Sequence, residues 1–176
     1  LSALDYAKAE VSAIGAKKET TVYVASTSPN VFQNAFLSFW QENPSYKISH
    51  ESLRINQIDC KDLLYKYDFL IASPMDFVCP PNICSRVLYD SDYAVLVVHP
   101  EHPMAHLKQI CLREVKDQPF VALSPQYSSR QFFDVVCHRA GFIPRVVMEC
   151  DYSMRFNMVM AGAGNTIATA HTRLLG

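Results

Sequence analysis

With 176 residues, 49% of them hydrophobic, the chain is long enough to bury a core as one domain or as two small lobes. Sixteen Lys and Arg against seventeen Asp and Glu leave it near neutral with no basic block, which excludes a phosphate-binding stripe and direct nucleic-acid binding by this segment. Its apolar runs fall far short of the roughly 18 residues a membrane span needs, and no basic-then-apolar leader opens it, so the expectation is a soluble, cytoplasmic protein without membrane association.

The first nineteen residues place Leu4, Ala7, Val11 and Ile14 at intervals of three, four and three, an apolar a/d seam that reads as the end of a longer helix and needs a partner to cover it. From Thr20 the pattern changes. Thr21 to Ala25 is β-branched and aromatic and reads as a strand. Ser28 followed by Pro29 then predicts an N-capped helix start, with Phe32, Phe36, Phe39 and Trp40 on one inward face and a stop before Pro44. Tyr46 to His50 is a second strand, Asp62 to Leu64 lies in a short helix, and Asp68 to Ala72 is a third strand ended by Ser73-Pro74. A β-α-β-α-β run of this kind predicts a mostly parallel sheet.

A strand pair at Arg86 to Leu88 and Tyr93 to Val98 leads into His99-Pro100-Glu101-His102-Pro103-Met104-Ala105-His106. Beyond it the α/β pattern returns: Phe120 to Leu123 as strand, a helix opened by Ser128-Ser129 with Phe132, Phe133, Val136 and Cys137 inward and Gly141 at its end, Arg145 to Met148 as strand, Met154 to Ala161 as a helix closed by Gly162, and Thr166 to Ala170 as a returning strand. The fold class read from this order is α/β, with two lobes joined by two crossing strands.

Several stretches resemble the effector-binding domain of LysR-type bacterial transcriptional regulators. TVYVAS with the helix after it is similar to that family's first strand and helix, DFLIAS to its third strand, and HPEHPMAH to the element at its first crossover. RAGFIPRVVMECD resembles the family pattern AGFxPRVxxE, and MVMAGAGNTIA its VAAGxGIxxxP; Lys66-Tyr67 and Thr169-Ala170-His171 depart from the usual glycine and proline. The resemblance implies two Rossmann-like lobes of the type 2 periplasmic-binding-protein kind, with 1–19 as the end of a linker helix, 20–97 as lobe I, 98–167 as lobe II and 168–176 as a return crossover. It also implies a first lobe incomplete at the C-terminus. The function implied is sensing of a small anionic or polar metabolite between the lobes, in a homodimer or larger homo-oligomer whose DNA contact belongs to an N-terminal helix-turn-helix outside this sequence. A solute-binding protein of a transport system shares the architecture; the missing leader, the free thiols and the opening seam argue against it.

Candidate chemistry divides into weak and stronger signals. His99, His102 and His106 with Glu101 have metal-ligating side chains, but two prolines keep the rings off one face, so the stretch reads as a stiffened crossover held by His102. The six cysteines are irregularly spaced and fit free thiols in a reducing compartment. Cys137 beside His138 does not make a nucleophile–base pair, since adjacent helical residues diverge, and neither a carboxylate pair nor a nucleophile elbow is present. The expectation is a non-enzyme without cofactor or metal. For ligand binding, helix starts at the carboxyl edge of a parallel sheet offer unpaired N–H groups and a positive dipole end. That places Ser26, Thr27 and Ser28, with Ser73, on the first lobe. Gln126, Tyr127, Ser128 and Ser129 occupy the second, and Thr169 sits on the return crossover. Taken singly, each also reads as an ordinary surface residue.

Overall fold

The computed structural model of the chain describes residues 20–28, 32–55, 63, 65–73, 79–81, 83–88 and 93–170. The opening seam at Leu4, Ala7, Val11 and Ile14, together with Pro29, Asp62, Leu64 and Cys60, lies outside the described residues. The contacts divide the chain into two units, Leu1–Ser91 and Asp92–Gly176, a division earlier than the expected boundary at residue 97.

In the first unit, β1 (Thr20–Ser26) is the central strand of a three-stranded sheet ordered β2-β1-β3, with β2 at Tyr46–Ser52 and β3 at Phe69–Ile71. Both neighbours run parallel to it: Val24 lies opposite His50 on one side and Phe69 on the other. On this central strand Val22, Val24 and Ala25 are buried, whereas Tyr23 between them is largely exposed. Helix α1 (Gln33–Glu42) returns the chain from β1 to β2 and buries Phe39, which packs against Tyr46 with ring centroids 6.0 Å apart.

Two expectations for α1 are corrected here. Its N-cap position is Phe32, with no side-chain cap bond, so Ser28 does not cap the helix. Ser28 lies two residues past the end of β1, whereas the helix begins only at Gln33, where the aromatic spacing sets an inward face. Trp40 follows Phe39 by one residue, a rotation of roughly 100° on a helix, and is 56% exposed rather than inward. Likewise no strand forms over residues 86–88: Val87 is 75% exposed, and nothing pairs with it among the described residues.

The second unit pairs β4 (Ala94–Val97) antiparallel with β7 (Thr166–Thr169), and β5 (Pro119–Leu123) parallel with β6 (Arg145–Cys150). Asn165 joins the two pairs, donating its N–H to the Pro119 carbonyl and accepting from Val121 N–H, each at 2.8 Å. Helix α2 (Ser128–Arg139) crosses from β5 to β6, and α3 (Tyr152–Met160) from β6 toward β7. Phe120 and Phe133, both 1% exposed or less, meet edge to face at 5.7 Å and anchor a core with Val115, Ala122, Cys137 and Ile167. Gly141 and Gly162 end the two helices with φ of 81° and 79°, the left-handed turn that residues with a Cβ resist. Asp151 caps α3 by accepting from Met154 N–H at 2.9 Å, so this helix starts two residues earlier than the apolar pattern predicted.

The close approach of β7 to β5 depends on Gly164, where an added Cβ would stand 2.8 Å from the Pro119 carbonyl oxygen. Gly164→Ala is therefore expected to destabilise the second unit by about 1–3 kcal/mol, as overpacking against backbone does. Phe133→Ala should cost about 3–5 kcal/mol through the cavity it leaves. Urea unfolding of the two variants checks both values.

Candidate functional site

The carboxyl ends of β1, β2 and β3 form one edge of the first unit. Ser26, the last residue of β1, is completely buried, and its Oγ lies 2.8 Å from His50 Nε2. Its carbonyl accepts from Leu53 N–H at 2.8 Å, and Thr27 N–H donates to the Ile71 carbonyl at 3.1 Å. These bonds clamp the end of β1 between the ends of β2 and β3. Thr27 is 1% exposed, and Ser28 beside it is half-buried. Ser73, two residues past Ile71, is half-buried on the same edge. His50 stacks at a tilt on Phe36, 5.3 Å between centroids, and burial holds its pKa below the ordinary value, which favours the neutral ring beside Ser26 at neutral pH.

In the second unit, Ser124 donates both its N–H and its hydroxyl to the Cys150 carbonyl, at 2.9 and 3.3 Å, which joins the end of β5 to the end of β6. The starts of α2 and α3 come directly after these ends. Tyr127 is extended at the N-cap of α2 and gives no side-chain cap bond; Ser128 is buried, and Gln126 and Ser129 are half-buried. Ser129 Oγ lies 3.0 Å from Tyr152 Oη, and the Tyr127 and Tyr152 rings meet edge to face at 5.0 Å. The structure thus brings Tyr127 and Ser129 together through Tyr152. Thr169 stands at the end of β7, half-buried.

Three residues of these edges escaped the sequence reading. His50 reaches Ser26 only through the β1–β2 register, which leaves no local signal. Tyr152 was readable as a polar aromatic at a helix start. Arg155 was the clearest missed signal, a charge on the buried stripe that continues to Val159: it is 2% exposed, and burial lowers its pKa from the ordinary arginine value.

The histidine stretch is structural. His99 Nδ1 accepts from Glu101 N–H at 3.2 Å, and His102 Nδ1 accepts from Met104 N–H at 3.1 Å. His102 Nε2 lies 2.9 Å from Gln118 Oε1, which also accepts from Asn165 Nδ2 at 2.5 Å. These partners assign the proton of His102 to Nε2, and the ring ties the turn after β4 to the starts of β5 and β7.

Residues 52–175 match the family model described as LysR substrate binding domain, and the chain belongs to that family. Two curated regulators are similar over part of their length. The HTH-type regulator YwbI of Bacillus subtilis is 35% identical over 71 residues, 40% of this chain and 24% of that protein; XapR of Escherichia coli is 32% identical over 90 residues, 50% and 30%. The chain therefore spans less than a third of either. Among solved structures, the BenM effector binding domain with its effector benzoate has a TM-score of 0.69 at 15% identity, covering 91% of this chain and 74% of that one. The Synechocystis CcmR regulatory domain in complex with 2-PG gives 0.68 at 18%, covering 89% and 76%. The effector binding domain of QuiR in complex with shikimate gives 0.60 at 17%, covering 86% and 74%. The fold is accordingly of the type 2 periplasmic-binding kind, as the family resemblance implied.

Cys137, read from the sequence as inward-facing and unsuited as a nucleophile, is core: it has no exposed surface, and burial, with Asp134 adding to it, pushes its pKa up to about 11. At neutral pH iodoacetamide should label the exposed Cys84 and Cys111 and leave Cys137 unmodified until the protein unfolds, as peptide mass mapping would show. Because the folded thiol keeps its proton above the ordinary value of 9.0, its contribution is complete below pH 9 and is lost as pH rises through about 11. Urea midpoints should fall over that window, and less so in Cys137→Ala measured against its own neutral-pH value.

Proposed function

We propose that this chain is the effector-sensing domain of a LysR-type transcriptional regulator, binding a small organic metabolite at the carboxyl edges of its parallel strands. The observation that carries the reading is the family match over residues 52–175, which takes in the later part of the first unit and almost all of the second. Solved relatives of the same fold were captured with benzoate, shikimate and 2-PG, all small molecules. The arrangement of this chain supports it further. Ser26, Thr27, Ser28 and Ser73 gather hydroxyls on one edge, and Gln126, Tyr127, Ser128, Ser129 and Thr169 line the other, where helix N–H groups favour an anionic or polar ligand.

In this reading the metabolite is bound and released unchanged, and differential affinity for two arrangements of the protein transmits the signal. DNA contact belongs to a helix-turn-helix segment of the whole regulator, the protein works in the cytoplasm, and the chain acts as a homodimer. Apolar surface for a second copy is present: Leu37 is 50% and Trp40 56% exposed, beside Phe36, Pro44 and Ile48 in an open groove. Sedimentation at high concentration should show a dimer, and a strictly monomeric species would remove this part of the reading.

The sensing role is tested by thermal shift against fractionated small-molecule extract, followed by mass spectrometry of the stabilising fraction. A ligand at about 100 times its Kd adds about 2.7 kcal/mol of stability, and the compound should be recovered intact. Ser26→Ala combined with Ser128→Ala should weaken that binding by about tenfold, as the loss of two neutral hydrogen bonds does, while the fold persists. Unchanged affinity by calorimetry would place the ligand elsewhere, and recovery of a converted product would sink the non-catalytic reading.

A further inference from the structure

Arg155 is the buried charge that the fold does not neutralise. The side chain is 2% exposed, and its Nε is enclosed without any hydrogen-bond acceptor. Among the described residues no carboxylate pairs with it. The other deeply engaged arginine of this unit, Arg130, makes the contrast plain. Arg130 bonds Asp134 through Nε at 3.0 Å, and through Nη1 it reaches Glu149 at 2.5 Å and the Leu123 carbonyl at 2.9 Å. Among the described residues Arg155 stands against aromatic faces: its guanidinium carbon lies 4.6 Å from the Phe156 ring centroid and 5.7 Å from that of Tyr152. Cation–π contact offsets part of the lost hydration and satisfies no N–H donor. A buried guanidinium in this state gains from any oxyanion that reaches it.

The guanidinium lies beside the start of α3, its carbon 5.7 Å from the Tyr152 ring centroid. Side chains on a helix lean toward its N-terminus, so Arg155 on α3 reaches back over the turn that carries Tyr152. Tyr152 Oη meets Ser129 Oγ at 3.0 Å on the first turn of α2, and the Tyr127 ring closes on Tyr152 from the side. The α2 start has no side-chain cap from Tyr127; of its first-turn N–H groups, that of Arg130 donates to the Tyr127 carbonyl at 2.9 Å.

We propose that Arg155 is the anion-recognising residue of this domain, taking the carboxylate or phosphoryl oxyanion of a small organic acid that rests against Tyr127 and Tyr152. This rests on the effector-sensing role and names the chemical class of the ligand. Planar, paired N–H donors match either oxyanion, and the two tyrosines supply an aromatic wall for the rest of the molecule.

The test follows the Nε–Hε resonance of Arg155 by NMR, assigned through its disappearance in Arg155→Lys, or by through-bond correlation to its backbone if that variant fails to fold. Acetate, benzoate and inorganic phosphate are titrated separately, with acetamide and benzamide as neutral controls. The anions should move the resonance saturably and the amides should leave it in place; the response to carboxylate against phosphate identifies the preferred oxyanion. Arg155→Gln should bind the preferred anion at least about tenfold more weakly, the loss expected for a charge-assisted hydrogen bond. An Nε resonance unmoved by all three anions, or unchanged anion affinity in the variant, overturns the proposal. The two readings fail separately: a stabilising metabolite found while Arg155 stays silent removes the role of Arg155 and keeps sensing, whereas an Arg155 that answers simple anions in a protein no metabolite stabilises removes sensing and keeps the anion site.

Discussion

Because β1 pairs in parallel with both β2 and β3, and β5 in parallel with β6, each connection must carry the chain back across the sheet before the next strand begins. That constraint governs most of the remaining structure. Helices are the compact way to return, so their N-termini gather at the carboxyl edge of the strands they succeed. In the second unit the start of α2 comes after β5 and the start of α3 after β6, which is why Ser129 and Tyr152, 23 residues apart in sequence, share a hydrogen bond. The candidate site is thus a consequence of strand direction before it is a consequence of any single side chain.

Parallel ends leave backbone groups that ladders do not satisfy, and the chain closes them in two ways. Backbone bonds run from one strand end to the next, as in Thr27 to Ile71, Leu53 to Ser26 and Ser124 to Cys150. Side chains add to these: Ser26 meets His50, and His102 with Asn165 converges on Gln118, although the buried Thr166 hydroxyl beside Asn165 finds no partner among the described residues. Buried polar groups of this kind are costly unless every member is paired, so these contacts hold the strand ends in one arrangement. The prolines around His102 stiffen the same junction and give its ring a constant position relative to β5.

Against that background Arg155 stands out by contrast with its neighbours. Where Gln118, Asn165 and Ser26 are satisfied, its enclosed Nε is not. Carboxylates are available in the unit, and Asp134 and Glu149 are both taken by Arg130. Asp151 is engaged in capping α3, and Arg155 is left against the Tyr152 and Phe156 rings.

Much of the architecture was legible because it rests on local chemistry. The apolar runs of β1 and β5, the glycines at Gly141 and Gly162, and the helix start at Ser128 arise from short-range preferences that a sequence displays directly. Ser28-Pro29 misled for the same reason in reverse: a local cap signal was present, but α1 starts where Phe36 and Phe39 meet the sheet, which packing decides. Trp40 and Val87 look inward by composition and face outward, since no element among the described residues covers them. The candidate site divides along the same line. Serines and threonines at strand ends could be named from the order of elements alone, whereas the pairing of Ser26 with His50 needed the β1–β2 register, and the isolation of Arg155 needed the positions of every nearby carboxylate. Sequence by itself determined which elements form and in what order, since those depend on neighbours along the chain; which charges are paired and which hydroxyls meet was decided only by tertiary structure, because those depend on neighbours in space.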